Sequence, residues 1–336
     1  MPRPRRPWRL AVALFCALVA ALLSSPARPG QHPARASSIA PSVLVVEPDD
    51  GRQPVLDYIA SAQQSLDVEI YELTDRRILT ALEDAAGRGV RVRVMAEPRP
   101  DNKPVNASAL ADLARKGVLT RDSSPSFRLT HEKAMVADGV SALVMTMNLV
   151  AQTFDNTRDF ALLDTDTADV AEIESVFESD WNHLPAGVDD PALVWSPDNS
   201  RGRLLSLLNS ATSRLDIYAE ELTDRDVLAA LSSAAAAGVR VRLLMTDTGS
   251  HDPARAGRAL IQASGAQVRL QPKPFVHAKV VIADGSIAFT GSENFTAASL
   301  DSNRELGLLT TDDASVARLT ATFEQDWSRP VPAPRP

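Results

Sequence analysis

The chain reads as an α/β protein whose fold is written twice, and three observations say so. Leu66–Val94 laid on Leu215–Leu243, an offset of 149, matches at 17 of 29 positions, including Glu-Leu-Thr-Asp-Arg at 72–76 and 221–225. The stretches Val176-Phe-Glu-Ser-Asp-Trp181 and Thr322-Phe-Glu-Gln-Asp-Trp327 close the two copies alike, at an offset of 146. Within each copy, strand-like and helix-like patterns alternate, which predicts a parallel or mixed sheet covered by helices. A repeat of this length is domain duplication, not a solenoid.

The elements follow in order. Leu66-Asp-Val-Glu-Ile-Tyr71 alternates in polarity as a strand does. Thr74 or Asp75 can cap a helix whose apolar face is Ile78, Leu79, Leu82 and Ala86; Gly89 stops it, and Val90–Val94 returns as a strand. Further on, Lys133–Ala137 and Ser141–Thr146 read as two strands joined by a tight turn at Asp138-Gly139. His131 and Lys133, two apart, are expected on one face of the first of these. The halves are placed at 41–184 and 201–330, with a proline- and aspartate-rich joint at 185–200. Trp181 and Trp327 are expected as repeated core or interface anchors, and the loops 97–130 and 246–276 as the places where substrate choice is written.

The first residues read differently. Arg3, Arg5, Arg6 and Arg9 precede an apolar run from Leu10 to Leu23, followed by small residues and prolines. This is the layout of a signal peptide covering 1–36, cleaved after Ala27 or Ala36, and the run falls short of the ~20 residues a membrane span needs. The expected location is therefore secreted, with an uncleaved anchor as the rival. The only cysteine, Cys16, lies inside the run, so a mature chain has no disulfide and no thiolate chemistry. Losing six arginines takes the formal charge from −8 to about −14. Such acidity argues against tight non-specific nucleic-acid binding, which rests on phosphate neutralisation.

Function is written in one pattern. Only five histidines and five lysines occur, and two of each fall into His131-Glu-Lys133-x4-Asp138-Gly139 and His277-Ala-Lys279-x4-Asp284-Gly285. Alone, a histidine in a strand with a nearby lysine is an ordinary structural feature; repeated polar constellations are not what sheet packing preserves. Gly291-Ser292-Glu-Asn294 follows the second copy and Met145-Thr146-Met-Asn148 the first, and both place an acid 28 residues after the histidine, Asp159 and Glu305, each behind an arginine, Arg158 and Arg304. Glu72 and Glu221 recur beside the expected site, where a cap or turn role competes with substrate contact.

These residues resemble the signature of the phospholipase D superfamily, H-x-K-x4-D followed by G-S-x-N, present twice. The resemblance implies two α/β/α sandwich halves with mixed sheets, related by a pseudo-twofold axis, with one active site at their interface. It implies no cofactor and no metal; the sequence offers no cysteine pair and no H-E-x-x-H. The implied catalytic set is His131, Lys133, Asp138, His277, Lys279 and Asp284, with Asp138 and Asp284 better suited to fixing turns than to touching substrate. Lys133, Lys279, Asn148, Asn294, Ser292 and Thr146 are expected around the phosphate oxygens. His131 is the implied nucleophile and His277 the acid/base, with Glu305 orienting His131 and Asp159 orienting His277 across the interface. At Met145 and Thr146 the first copy departs from the pattern, which predicts a tighter or oilier wall facing the phosphate.

The resulting expectation is a phosphodiesterase that hydrolyses or transfers phospholipid head groups, with possible peripheral membrane contact. A secreted endonuclease acting on nucleic acid is the alternative, and an inactive phosphate-binding scaffold is the reading from another class. A monomer suffices, because duplication supplies the symmetry internally.

Overall fold

The computed structural model describes residues 44–246, 248 and 252–329; the expected signal peptide with its cysteine, and His251, lie outside the described residues. The first half carries strands β1 (Leu44–Glu47), β2 (Ser65–Ile70), β3 (Arg91–Ala96), β4 (Leu119–Asp122), β5 (Lys133–Ala137), β6 (Ser141–Met145) and β7 (Thr157–Asp164). The second carries β8 (Leu193–Ser196), β9 (Arg214–Tyr218), β10 (Arg240–Thr246), β11 (Gln267–Gln271), β12 (Phe275–Val276), β13 (Lys279–Ala283), β14 (Ile287–Gly291) and β15 (Glu305–Thr310). Helices α1 (Gln53–Ser61), α2 (Arg76–Gly87), α3 (Ala107–Arg115), α4 (Ala151–Asn156) and α5 (Thr167–Trp181) belong to the first half, and α6 (Ser200–Ser210), α7 (Arg225–Ala236), α8 (Arg255–Ala263), α9 (Ala297–Asp301) and α10 (Asp313–Ser328) to the second.

Both sheets have one strand order: β4-β3-β2-β5-β6-β7-β1 and β11-β10-β9-β13-β14-β15-β8. β2 pairs parallel with β3 and antiparallel with β5, and β9 does the same with β10 and β13, so each sheet is mixed. The repeated sequence explains the repeated start. Asp75 and Asp224 cap α2 and α7 by accepting from two backbone N–H groups each, and Gly89 and Gly238 take positive φ just beyond the helix ends. The joint at 185–200 does more than connect: its apolar run Leu193-Val-Trp-Ser pairs antiparallel with β15 as β8, the counterpart of β1.

Strand alternation divides the apolar residues among three layers. Met135 and Ala137 of β5 face an outer core built with α1, α2 and α3, and Val281 and Ala283 of β13 face the matching outer core of the second half. Ala134 and Val136 point the other way, into a central core shared with Val280 and Ile282 and filled by Val170, Ile173 and Val176 of α5 and Val316, Leu319 and Phe323 of α10. One central core drawn from both sheets holds the halves together. Trp181 and Trp327 stack on Phe177 and Phe323 at the ends of α5 and α10, each beneath a guanidinium, Arg93 and Arg242. Among the described residues no helix is long and apolar enough to cross a membrane.

Candidate active site

Each motif ends in a hairpin turn that needs two left-handed residues. Asp138 and Gly139 (φ 55° and 65°) and Asp284 and Gly285 (53° and 70°) supply them. The Asp138 carboxylate accepts from the N–H groups of Gln63, Gln64 and Ser65, and Asp284 from those of Thr212, Ser213 and Arg214. These bonds hold the aspartates' carboxyls below their usual range despite some burial. They tie the loops after α1 and α6 to the far ends of β5 and β13, away from the histidines. The placement of Asp138 and Asp284 within a catalytic set is thus corrected: they fix the turn.

The segments ahead of the histidines cross to the other half. Thr130 bridges to Arg304 and the His131 N–H donates to the Arg304 carbonyl at 2.8 Å; β12 pairs parallel with Thr157–Arg158 and the His277 N–H donates to the Arg158 carbonyl at 3.2 Å. The contacts are reciprocal, as an internal twofold requires. The arginines are buried anchors: Arg158 Nε and Nη2 donate to Asp326, and Arg304 pairs with Asp180 at 2.7 Å. The next residue along each strand is the acid. Glu305 Oε2 lies 2.8 Å from His131 Nδ1, and Asp159 Oδ1 lies 2.8 Å from His277 Nδ1.

Both acids are fully buried and further held. Asp159 accepts from Thr146 and Thr157 hydroxyls at 2.6 Å, and Glu305 from the Ser299 hydroxyl and from Asn303 Nδ2 at 2.9 Å. Burial alone raises a carboxyl's pKa, but His277 beside Asp159, and His131 beside Glu305, pull both below the usual range. An ionised carboxylate only accepts, so each Nδ1 carries the proton and each Nε2 is left to act. Burial, reinforced by Lys133 and opposed by Glu305, lowers the His131 pKa and favours its neutral form.

His131 and His277 line one cavity of about 410 Å³ together with Asn148 and Asn294, whose Oδ1 atoms are buried without hydrogen-bond partners. Glu72 and Glu221 also line it, and their carboxyls are pushed up, first by burial and then by Asp101 and Glu220 respectively. The caps are Asp75 and Asp224 instead, so the recurring glutamates belong to the cavity wall. Lys133 and Lys279 sit behind the histidines, fully buried, their Nζ atoms donating to the His131 and His277 carbonyls at 2.6 and 2.5 Å. Lys133 starts β5 while His131 precedes the strand, so the pair meets by this fold-back and not by a shared strand face. Burial, then Lys279, pushes Lys133 down to about 7.

Three expectations need correction. Thr146 and Ser292 do not line the cavity: Thr146 donates to Asp159 and accepts from the Phe160 N–H, while Ser292 Oγ accepts from the Leu306 N–H, both from behind. Met145 does not face a phosphate either. It is buried in the outer core with Met147 and Phe154, filling space that Phe289 and Glu293 occupy against Gly291 and Gly307 in the second half. Of the two variable loops, 97–130 brings Asp101, Arg128 and Leu129 to the cavity; among the described lining residues 246–276 brings none, and Thr296–Asn303 takes that side.

Sequence reasoning missed Tyr71 and Glu220. They are counterparts in the repeat, the last of four unmatched positions before Glu-Leu-Thr-Asp-Arg, and an exchange of tyrosine for an acid there was the available signal. Tyr71 packs edge-on to His131 with ring centroids 4.6 Å apart, and Lys133 Nζ stands 5.1 Å from its ring centroid. Glu220 instead puts Oε2 2.6 Å from Lys279 Nζ, 3.3 Å from Asn294 Nδ2 and 3.7 Å from His277 Nε2.

A sequence family described as "Cardiolipin synthase, PLD-like domain" matches residues 55–181 and again 204–327, one domain in each half. The chain is similar to cardiolipin synthase 2 of Bacillus anthracis, 24 % identical over 83 % of this chain and 63 % of that protein. It is also similar to the mitochondrial cardiolipin hydrolase of Homo sapiens, 31 % identical over 44 % of this chain and 57 % of that protein. The chain thus spans about three fifths of each relative's length. Among solved structures, a polyphosphate kinase from Porphyromonas gingivalis shares the fold at a TM-score of 0.65 and 17 % identity, over 85 % of this chain and 50 % of the other. With that family matching both halves, and each half giving a histidine to a common cavity, the chain belongs to the phospholipase D superfamily.

Proposed function

We propose that the chain is a phosphodiesterase that hydrolyses phospholipid head groups, or transfers them to another alcohol, through a phosphohistidine and without a metal. The observation that carries this is the pair of imidazoles, each with Nδ1 fixed by a buried carboxylate of the other half and both lining one cavity. A diester phosphate repels nucleophiles until its charge is met by fixed donors; Asn148, Asn294 and the charges of Lys133 and Lys279 behind the histidines supply that field. His131, favoured as neutral, attacks phosphorus through Nε2 and forms a P–N bond as the head-group oxygen departs. His277, as imidazolium, gives that oxygen its proton. It then takes a proton from the incoming water, or alcohol, that breaks the P–N bond and frees His131.

The cavity wall speaks to the alcohols. Glu72, Asp101, Glu220 and Glu221 line it against one arginine among the described lining residues, Arg128. Such a wall opposes a polyanionic strand, whose binding depends on phosphate neutralisation, and tolerates a small neutral or cationic alcohol. Similarity to a cardiolipin synthase and a cardiolipin hydrolase supports a lipid phosphodiester. The test is incubation of the purified chain, with EDTA, against phosphatidylcholine vesicles and single-stranded DNA in parallel, with His131→Asn as control. Choline release lost in the variant is expected. Strand cleavage alone would transfer the assignment to a nuclease, no turnover of either to a binding scaffold, and EDTA sensitivity would contradict the metal-free route.

A further inference from the structure

The phosphate-binding wall of the second half already holds an anion. Glu220 Oε2 sits 2.6 Å from Lys279 Nζ, 3.3 Å from Asn294 Nδ2 and 3.7 Å from His277 Nε2, the donors a phosphodiester oxygen needs. Resting on the phosphodiesterase reading, we propose that Glu220 is a specificity-determining residue: its carboxylate holds the place of a non-bridging phosphate oxygen in the free enzyme, and a substrate seats only by displacing it.

The surroundings decide which partner moves. Lys279 is 0 % exposed and tethered to the His277 carbonyl, and His277 is pinned to Asp159, whereas the Glu220 side chain is 22 % exposed and follows the end of β9. Of the ion pair, Glu220 alone has a route to solvent. Its presence also has a reason: a fully buried lysine is costly without a directly paired counter-ion, and Glu220 is the carboxylate bonded to Lys279 Nζ. Although burial acts to raise the Glu220 carboxyl, His277 and Lys279 pull it well below the usual range, so it stays ionised and competes with an incoming anion charge for charge. The first half has no such competitor. There Tyr71 takes the position, its hydroxyl bonded to Asp101 at 3.0 Å and its ring against Lys133, and it brings no charge to the cradle.

A purely structural salt bridge gives the same static picture, so the test must separate the two. Inorganic phosphate is titrated into wild type, Glu220→Gln and Glu220→Tyr, the latter importing the first half's residue, by calorimetry and by thermal shift. Hydrolysis of bis(p-nitrophenyl) phosphate is measured alongside. Expected are a lower melting temperature for both variants without phosphate, a phosphate affinity raised about tenfold or more, a larger phosphate-induced thermal shift, and a KM lowered in step. Lower melting temperature with unchanged phosphate affinity in both variants overturns the inference and leaves a structural bridge. A kcat reduced a hundredfold at unchanged KM overturns it in favour of a chemical role. Should neither wild type nor variants hydrolyse the diester while phosphate still binds more tightly to the variants, displacement stands and the phosphodiesterase reading falls; the reverse pattern sinks displacement alone.

Discussion

The two halves agree where they hold histidines and differ in what they set beside them. Each carries the same strand order, the same buried arginine–aspartate anchor and the same acid-to-imidazole bond at 2.8 Å. Beside His131, however, stands the Tyr71 ring, and beside His277 the Glu220 carboxylate. An uncharged neighbour, burial and Lys133 suit an imidazole that must be neutral to attack, whereas in the second half the same position holds an acid against the phosphate-facing donors. Duplication supplied two histidines with like acid partners, and substitutions around them set different neighbours beside each.

The sharpest way to break that comparison is to remove each histidine in turn. His131→Asn and His277→Asn should each lower diester turnover by about a thousandfold or more, because one deletes the nucleophile and the other the proton donor. They should differ in trapping. Rapid acid-free quenching with a labelled diester carrying a good leaving group should give no protein-bound phosphate in His131→Asn, and more than wild type in His277→Asn, whose release step lacks its base. Label retained by His131→Asn and lost from His277→Asn would exchange the roles.

Asp159→Asn and Glu305→Gln come next, at roughly 10- to 100-fold, the range for a group that orients a reacting imidazole. Both remove the acceptor-only partner that keeps the proton on Nδ1. The larger loss in kcat should fall on Asp159→Asn if proton donation limits turnover, and on Glu305→Gln if attack does. Equal losses with unshifted pH–rate profiles would reduce both acids to packing roles.

Much of this was legible in the sequence because the signals were redundant. The repeat showed the duplicated sheet twice, and an acid at the same distance from each histidine showed the Glu305 and Asp159 positions before any geometry. What failed did so for local reasons. Thr146 and Ser292 sit beside the motif in sequence, but their hydroxyls face the strand behind it, Asp159 and the Leu306 N–H, because the adjacent strand lies closer than the cavity. Met145 looked like a wall residue because its counterpart is Gly291; the glycine instead answers the Gly307 backbone, whose Cα a Cβ would meet at 2.5 Å, together with the Glu293 carboxylate and the Phe289 ring. Glu220 was hidden by the opposite error, since it is the last of four successive mismatches, 68–71 against 217–220, and such a run reads as drift until the fold shows Lys279 against it.

The smallest expected effect concerns stability. Beside its arginine anchor the second half places Tyr218, whose hydroxyl donates to Asp326 at 2.8 Å, and Ala278; the first half has Glu69 and Glu132 near Asp180 and Arg304. Glu132 Oε2 is buried without a partner, and burial, then Asp180, pushes its carboxyl up to about 8. The folded chain therefore keeps a proton that the unfolded chain releases near 4.5, and stability falls as pH rises between those values, levelling above them. Glu47, also raised to about 8 by burial first, acts with the same sign but is present in wild type and variant alike. Glu132→Gln imitates the protonated acid and removes its own share of the slope. Melting temperatures should coincide near pH 5 and diverge toward pH 8, with the variant higher by about a few degrees. A gap that stays constant across that window would mean that Arg304 holds Glu132 ionised throughout, and that the two halves' anchors are closer in character than their sequences suggest.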